Sequence, residues 1–240
     1  FSRSERLLGV AGMERLRSLR AIVFGVGGVG SWVAEALVRT GVVHVTIGDS
    51  DNVAVSNINR QLPATTLTVG QPKVEALKRH LLEVNPEAQI TALNMIYSAE
   101  NAPMFELENY DYIVDCIDSL EHKTALILHA TSLSAKFYSS MGAALKMDPT
   151  RIQVAEFWKV KGCPLAAALR RRIKKKGTFP KKKFKCVFSE ELLENRADTE
   201  VSVGGTWDAQ KAQINGSLMH ITAIYGLTLA GLIIQDIYNG

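Results

Sequence analysis

Residues 21–32 read AIVFGVGGVGSW, with Gly25, Gly27, Gly28 and Gly30 crowded between an apolar run and the helical pattern SWVAEALVRTG. Few features narrow a fold so far. Glycine accepts positive φ and lets backbone approach backbone, so such a cluster predicts a tight turn. The helix that follows then presents free N–H groups to a phosphate. RAIVFG (20–25) is the strand before the turn, and Gly41 stops the helix after it. HVTIGD (44–49) is a second strand. Its last residue, Asp49, falls nineteen positions after Gly30, where a carboxylate suits a ribose hydroxyl pair. The same geometry serves NAD, FAD, S-adenosylmethionine and ATP, and a purely structural turn is the alternative.

The alternation continues downstream. VGQPKVEALKRHLLEVNP starts a helix with Pro72 suited to its first turn, and ends it at the second proline. AQITALNMI alternates as a third strand. YDYIVDCID is a fourth, apolar enough for burial on both faces. LEHKTALILHATSLS is helical, and KFYSSMGAAL and RIQVAEFWK return to strand. This order predicts a Rossmann-like α/β fold with a doubly wound, mostly parallel sheet. A chain of 240 residues suits one unit with one sizeable core: a nucleotide-binding part over 1–145, then a basic arm, loops and a C-terminal helix over 146–240. The arm and residues 196–216 read as mobile loops.

Charge is unevenly placed. Of the 28 Lys and Arg, ten fall in RRRIKKKGTFPKKKFK, Arg170 to Lys185, and the other 18 are outnumbered by 24 Asp and Glu. An acidic body with one basic arm predicts a polyanionic partner, the alternative being a solvated helix face and loop. Cys116, Cys163 and Cys186 form no C-x-x-C pair, which argues against structural zinc and a disulfide framework and suits a reducing, cytoplasmic setting. The five histidines (44, 80, 122, 129 and 220) show no metal spacing. SLMHITAIYGLTLAGLIIQDIY (217–238) is long and apolar, yet His220, Gln235 and Asp236 interrupt it. It reads as a buried terminal helix rather than a membrane span, and the polar N-terminal stretch does not read as a signal peptide.

A dehydrogenase has no evident need for the residues that follow Asp49 in DSDNVAVSNINRQ. Arg60 lies eleven positions beyond Asp49, and Lys73 a further thirteen, at a helix start. Phosphoryl and adenylyl chemistry must neutralise charge on polyphosphate oxygens, and Arg, Lys and a metal do so. Asp118, read as the end of the fourth strand in VDCIDS, shares their edge of the sheet and could hold Mg²⁺ through one carboxylate.

GVGGVGSWVAEALVRTGV, IGDSDNVAVSNINRQL, VGQPKVE and VDCIDS resemble, in order and spacing, the motifs of the adenylating enzymes that activate ubiquitin-like proteins, whose bacterial relatives serve thiamin and molybdopterin biosynthesis. The resemblance covers residues 1 to about 145. It implies a homodimer that binds ATP and directs a carboxylate onto the α-phosphate, giving an acyl-adenylate and pyrophosphate. By the same resemblance Asp49 holds the ribose, Asp51 shapes or joins the metal site, and Asn57 and Arg60 address the phosphates and the nucleotide pocket. Lys73 contacts phosphate and Asp118 supports Mg²⁺–ATP. FSRSERLLG is similar to the segment whose arginine enters the partner subunit's site, and both Arg3 and Arg6 are candidates.

The sulfur-carrier-activating branch usually carries two C-x-x-C pairs, absent here. DPTRIQV, CPLAAALRRRIKKKG and CVFSEE instead resemble the branch that dehydrates threonylcarbamoyladenosine in tRNA. That implies adenylation of the modified base's carboxylate beside the anticodon, then closure of its carbamoyl group onto the activated carbonyl. Arg170–Lys185 then becomes the tRNA contact, with Phe179, Phe184 and Phe188 as stacking or core residues. DNA is not an expected partner, and a sulfur-transfer protein is a further candidate. Cys186 sits where relatives place a reactive cysteine, and its lysine neighbours predict a lowered thiol pKa. The competing functions are carrier-protein adenylation, NAD(P)-linked redox chemistry and RNA binding without catalysis.

Overall fold

In a computed structural model that describes residues 1–196 and 215–240, seven strands form one sheet in the order β3-β2-β1-β4-β5-β7-β6. They are β1 (Arg20–Phe24), β2 (His44–Gly48), β3 (Gln89–Leu93), β4 (Tyr112–Asp115), β5 (Lys136–Ser140), β6 (Ile152–Glu156) and β7 (Lys185–Ser189). All neighbours run parallel except the terminal pair β6–β7. Parallel strands need crossovers, and here these are α2 (Gly30–Thr40), α3 (Lys73–Val84), α4 (Leu120–Ala130) and α5 (Pro164–Lys176), with α1 (Ser2–Ser18) and α6 (Met219–Asn239) at the chain's ends. The doubly wound prediction holds.

Alternation sends successive side chains to opposite faces. Ala21 and Val23 of β1 join the core under α1, α2, α3 and α6, while Ile22 and Phe24 join the one under α4 and α5. The apolar α6 is long enough to cross a membrane, yet Gly226 lies so close to Val29 and Trp32 of α2 that a Cβ would collide with the Val29 carbonyl. Burial of Ile221, Tyr225 and Leu229 against the sheet explains its composition, as expected of a buried terminal helix.

The arm departs from its reading as a mobile loop. Ala166, Leu169 and Ile173 form a buried stripe at helical spacing, so the arm's first half is the last part of α5, closed by Gly177 at φ 67°. The chain then returns as β7, a strand the sequence reading did not anticipate. Lys182 Nζ ties the return to the carbonyls of Leu133 and Ala135. Phe184 and Phe188 are core residues, whereas Phe179 is exposed beside Trp158, with ring centroids 6.1 Å apart. Of the 196–216 loop, residues 197–214 lie outside the described residues.

Candidate active site

The carboxyl ends of β1, β2 and β4 frame a crevice around the glycine turn. Gly25 has φ +80°, and a Cβ there would stand 2.8 Å from the Cys116 carbonyl oxygen, so only glycine lets the turn close on the loop after β4. A Cβ at Gly30 would collide with the Gly25 carbonyl. Gly27 and Gly28 are lined from outside by Gln61 and by Thr222 of α6. Val29 caps α2 without a side-chain hydrogen bond, and Ser31 N and Trp32 N turn back onto the carbonyls of Gly27 and Val29 at 3.3 and 3.1 Å, which tightens the turn at the start of the helix.

Asp49 bridges strand end and turn. Its Oδ2 accepts from Val26 N at 2.8 Å and its Oδ1 from Asp51 N at 2.9 Å. Burial lifts its carboxyl above the usual range, and Lys73 opposes the lift. Lys73 Nζ lies 2.7 Å from Asp51 Oδ2, with the lysine side chain 7% exposed and the aspartate 67%. The cation therefore faces inward and its partner faces water.

Asn57 and Arg60 shape the connecting loop. Asn57 Oδ1 accepts from Ala54 N, and its carbonyl accepts from Arg60 N and Gln61 N. Arg60 Nη1 donates to Ser56 O and Asn59 Oδ1, both at 2.8 Å, while its own carbonyl accepts from Trp32 Nε1 of α2. Gln61, which the sequence reading passed over, keeps its Oε1 buried and without a partner among the described residues, beside Gly27.

Asp118 needs a correction of place. Strand β4 ends at Asp115, and Asp118 is an exposed carboxylate three residues later, just ahead of Ser119, the cap of α4. Beneath it lies a buried cluster that sequence reasoning missed. Asp115 Oδ2 is 2.8 Å from Lys123 Nζ and 2.7 Å from Ser139 Oγ, and its Oδ1 accepts from Ile117 N at 3.0 Å. Every neighbour is a donor, so the geometry is that of a carboxylate. Burial pushes Asp115 up against the pull of those donors. The only signal in the sequence was a lysine inside an otherwise apolar helix stripe.

Other expected residues lie elsewhere. Arg3 and Arg6 are exposed on α1, ahead of its kink at Gly9, and Phe1 rests near Gly41. Gly41 closes α2 at the end opposite the turn, about 16 Å away along eleven residues of helix, so neither arginine enters this chain's own crevice. Cys186 is fully buried between β5 and β6, and burial pushes its thiol well up rather than down. Lys185 and Val187 point to the other face, so the lysine neighbours do not activate it. Lys185 opens β7 at the amino edge, three strands across and a strand length below Gly25, roughly 20 Å by strand spacing and rise. A cleft of about 370 Å³ lined by Arg20, His44, Gln89 and Tyr110 also opens at that amino edge, away from the turn.

This is the architecture of a mononucleotide-binding α/β protein. The sequence model of the ThiF family matches residues 1–238, and the chain belongs to that family. The tRNA threonylcarbamoyladenosine dehydratase of Bacillus subtilis is 37% identical over 244 residues, covering 99% of this chain and 94% of that protein. The solved structure of E. coli tRNA N6-threonylcarbamoyladenosine dehydratase in complex with AMP superposes with a TM-score of 0.88 at 32% identity, over 100% of this chain and 94% of that one. Its complex with ATP gives 0.85 at 32%, over 100% and 93%.

Proposed function

We propose that this protein is an ATP-dependent tRNA-modifying enzyme that adenylates the carboxylate of threonylcarbamoyladenosine next to the anticodon and dehydrates it to the cyclic form. The observation that carries the reading is the extent of the likeness. It runs through the basic second half of the chain and not only through the nucleotide-binding half.

ATP enters with its ribose on Asp49 and its phosphates over the glycine turn and the first turn of α2. A carboxylate oxygen of the substrate attacks the α-phosphorus and pyrophosphate leaves. The carbamoyl part of the same side chain then closes onto the activated carbonyl and AMP departs, carrying the oxygen that is formally lost as water. Arg60 and Lys73 take up the negative charge that develops on the phosphates, and such preorganised cations act at no reorganisation cost. Asn57 and Asp51 hold the loop and the lysine in place.

The donor set fits Mg²⁺. That ion is usually held by one or two carboxylates together with substrate phosphates, and Asp118 offers one exposed carboxylate, with no cage of three metal-ligating side chains among the described residues. When bound, Mg²⁺ would add positive charge beside the phosphate oxygens. The enzyme works as a homodimer in which Arg3 or Arg6 crosses to the other copy, since neither serves its own crevice. The exposed cations of Arg170–Lys185 hold tRNA phosphates, and the three free cysteines suit a reducing cytoplasm.

Incubation with ATP, Mg²⁺ and tRNA bearing threonylcarbamoyladenosine tests the reading. Mass spectrometry of the digested nucleosides should find the modified base lighter by one water. Conversion of no tRNA, together with pyrophosphate exchange that responds to a small carrier protein, would overturn it.

A further inference from the structure

Asp115, Lys123 and Ser139 are each 0% exposed, and no step above uses them. They come from three elements: the end of β4, the first turn of α4, and the β5 residue in register with Asp115. Asp115 and Lys123 share one target. The Ile117 N–H donates to Asp115 Oδ1 at 3.0 Å, and the Ile117 carbonyl accepts from Lys123 Nζ at 2.9 Å. Ile117 immediately precedes Asp118. On its other side, Cys116 N donates to Phe24 O at 2.8 Å, and the Cys116 carbonyl lies against Gly25.

We propose that Asp115 and Lys123 are positioning residues, a buried pair that grips Ile117 by both its amide and its carbonyl and so sets Asp118 at a fixed place over the glycine turn. The proposal rests on the adenylating reading for what Asp118 does, and on geometry alone for the grip. Packing does not require the pair. Desolvating two charges is expensive, and apolar side chains of similar volume often replace a buried ion pair without loss of stability. Such side chains could join α4 to β4, but they have nothing to offer the two polar groups of Ile117. Ser139, whose Oγ donates to Asp115 Oδ2 at 2.7 Å, fixes the carboxylate from the β5 side.

The test is the double variant Asp115→Leu/Lys123→Met, compared with wild type in three measurements: thermal melting, ATP–pyrophosphate exchange with tRNA bearing threonylcarbamoyladenosine as the carboxylate substrate, and amide hydrogen exchange of residues 116–118. We expect a folded protein whose kcat falls about 100-fold, the order set by a displacement of about 1 Å at a reacting centre. KM for ATP should change much less than kcat, and the 116–118 amides should exchange faster. A folded double variant with wild-type kcat, or with unchanged exchange of those amides, overturns the proposal. If the double variant does not fold, Ser139→Ala takes its place. That variant should also lower kcat and loosen 116–118, and wild-type values of both would be equally decisive. Wild-type protein with no pyrophosphate exchange would defeat the adenylating reading instead, while amide exchange would still judge the grip.

Discussion

The two edges of the sheet are built on opposite terms. At the carboxyl edge four groups are pinned: Asp49 by two backbone amides, Lys73 by Asp51, Arg60 by its own loop, Ile117 by Asp115 and Lys123. At the amino edge the arm spends only a few cations on itself, Arg170 on the Phe157 carbonyl and Lys182 on the α4–β5 loop, and leaves Arg171, Lys174, Lys175 and Lys176 facing water. Bond-making at a phosphorus atom demands fixed geometry, whereas holding a polyanion demands charge density that tolerates many poses. With roughly 20 Å between the edges, a ligand that engages both must be large.

That contrast breaks first, and hardest, at Asp118. Asp118→Ala should lower pyrophosphate exchange by about 100-fold or more while the melting temperature stays put, because an exposed loop carboxylate is lost rather than a core contact. Equal loss of melting temperature and turnover would make Asp118 structural. Changing Arg171, Lys174, Lys175 and Lys176 to Gln should do the reverse, weakening tRNA binding and flattening its salt dependence by about 0.9 per phosphate contact removed, with ATP affinity untouched. A filter-binding titration at several salt concentrations reads this, and an unchanged slope would detach the arm from tRNA.

A subtler distinction concerns pH. Burial raises the Asp49 pKa in the folded protein. A raised carboxyl takes up its proton in the native state before the unfolded one, so this group's contribution to stability grows as pH falls through the folded value and declines as pH rises through the same window. Nucleotide binding runs the other way, since a protonated Asp49 loses an acceptor. Calorimetry should therefore find ATP affinity falling on acidification while circular dichroism still reports a folded chain. Asp49→Asn should lack this component, and identical pH profiles for the two proteins would remove Asp49 from the ribose. The smallest effect belongs to Cys186→Ala, which should cost about 1 kcal/mol of stability, as core trimming does, and leave turnover in place. Loss of turnover in a folded Cys186→Ala protein would restore the cysteine as a nucleophile.

The carboxyl edge was the more legible half because its signals are local. Glycines between strand and helix, an acid at the next strand's end and a lysine after Pro72 are all spacings within one or two elements. Asp118 was read three residues too far along the strand because the chain leaves β4 at Asp115 to pack on Gly25, a contact between distant segments. The grip on Ile117 draws on β4, α4 and β5 together, so no window of sequence contains it. In the arm, cations diluted the Ala166, Leu169 and Ile173 stripe, and β7 began inside a lysine run, which hid a helix and a strand behind charge. The thiol of Cys186 followed its strand's alternation and not its neighbours' charge.

Thr222 touches Gly28, and Gly226 seats α6 on the start of α2. The wall of the phosphate cradle is thus supplied by a helix far along the chain from the turn it backs. The glycine signature is therefore only part of the cradle: a fragment that keeps every glycine of the turn but lacks α6 carries the motif intact and the pocket open on one side.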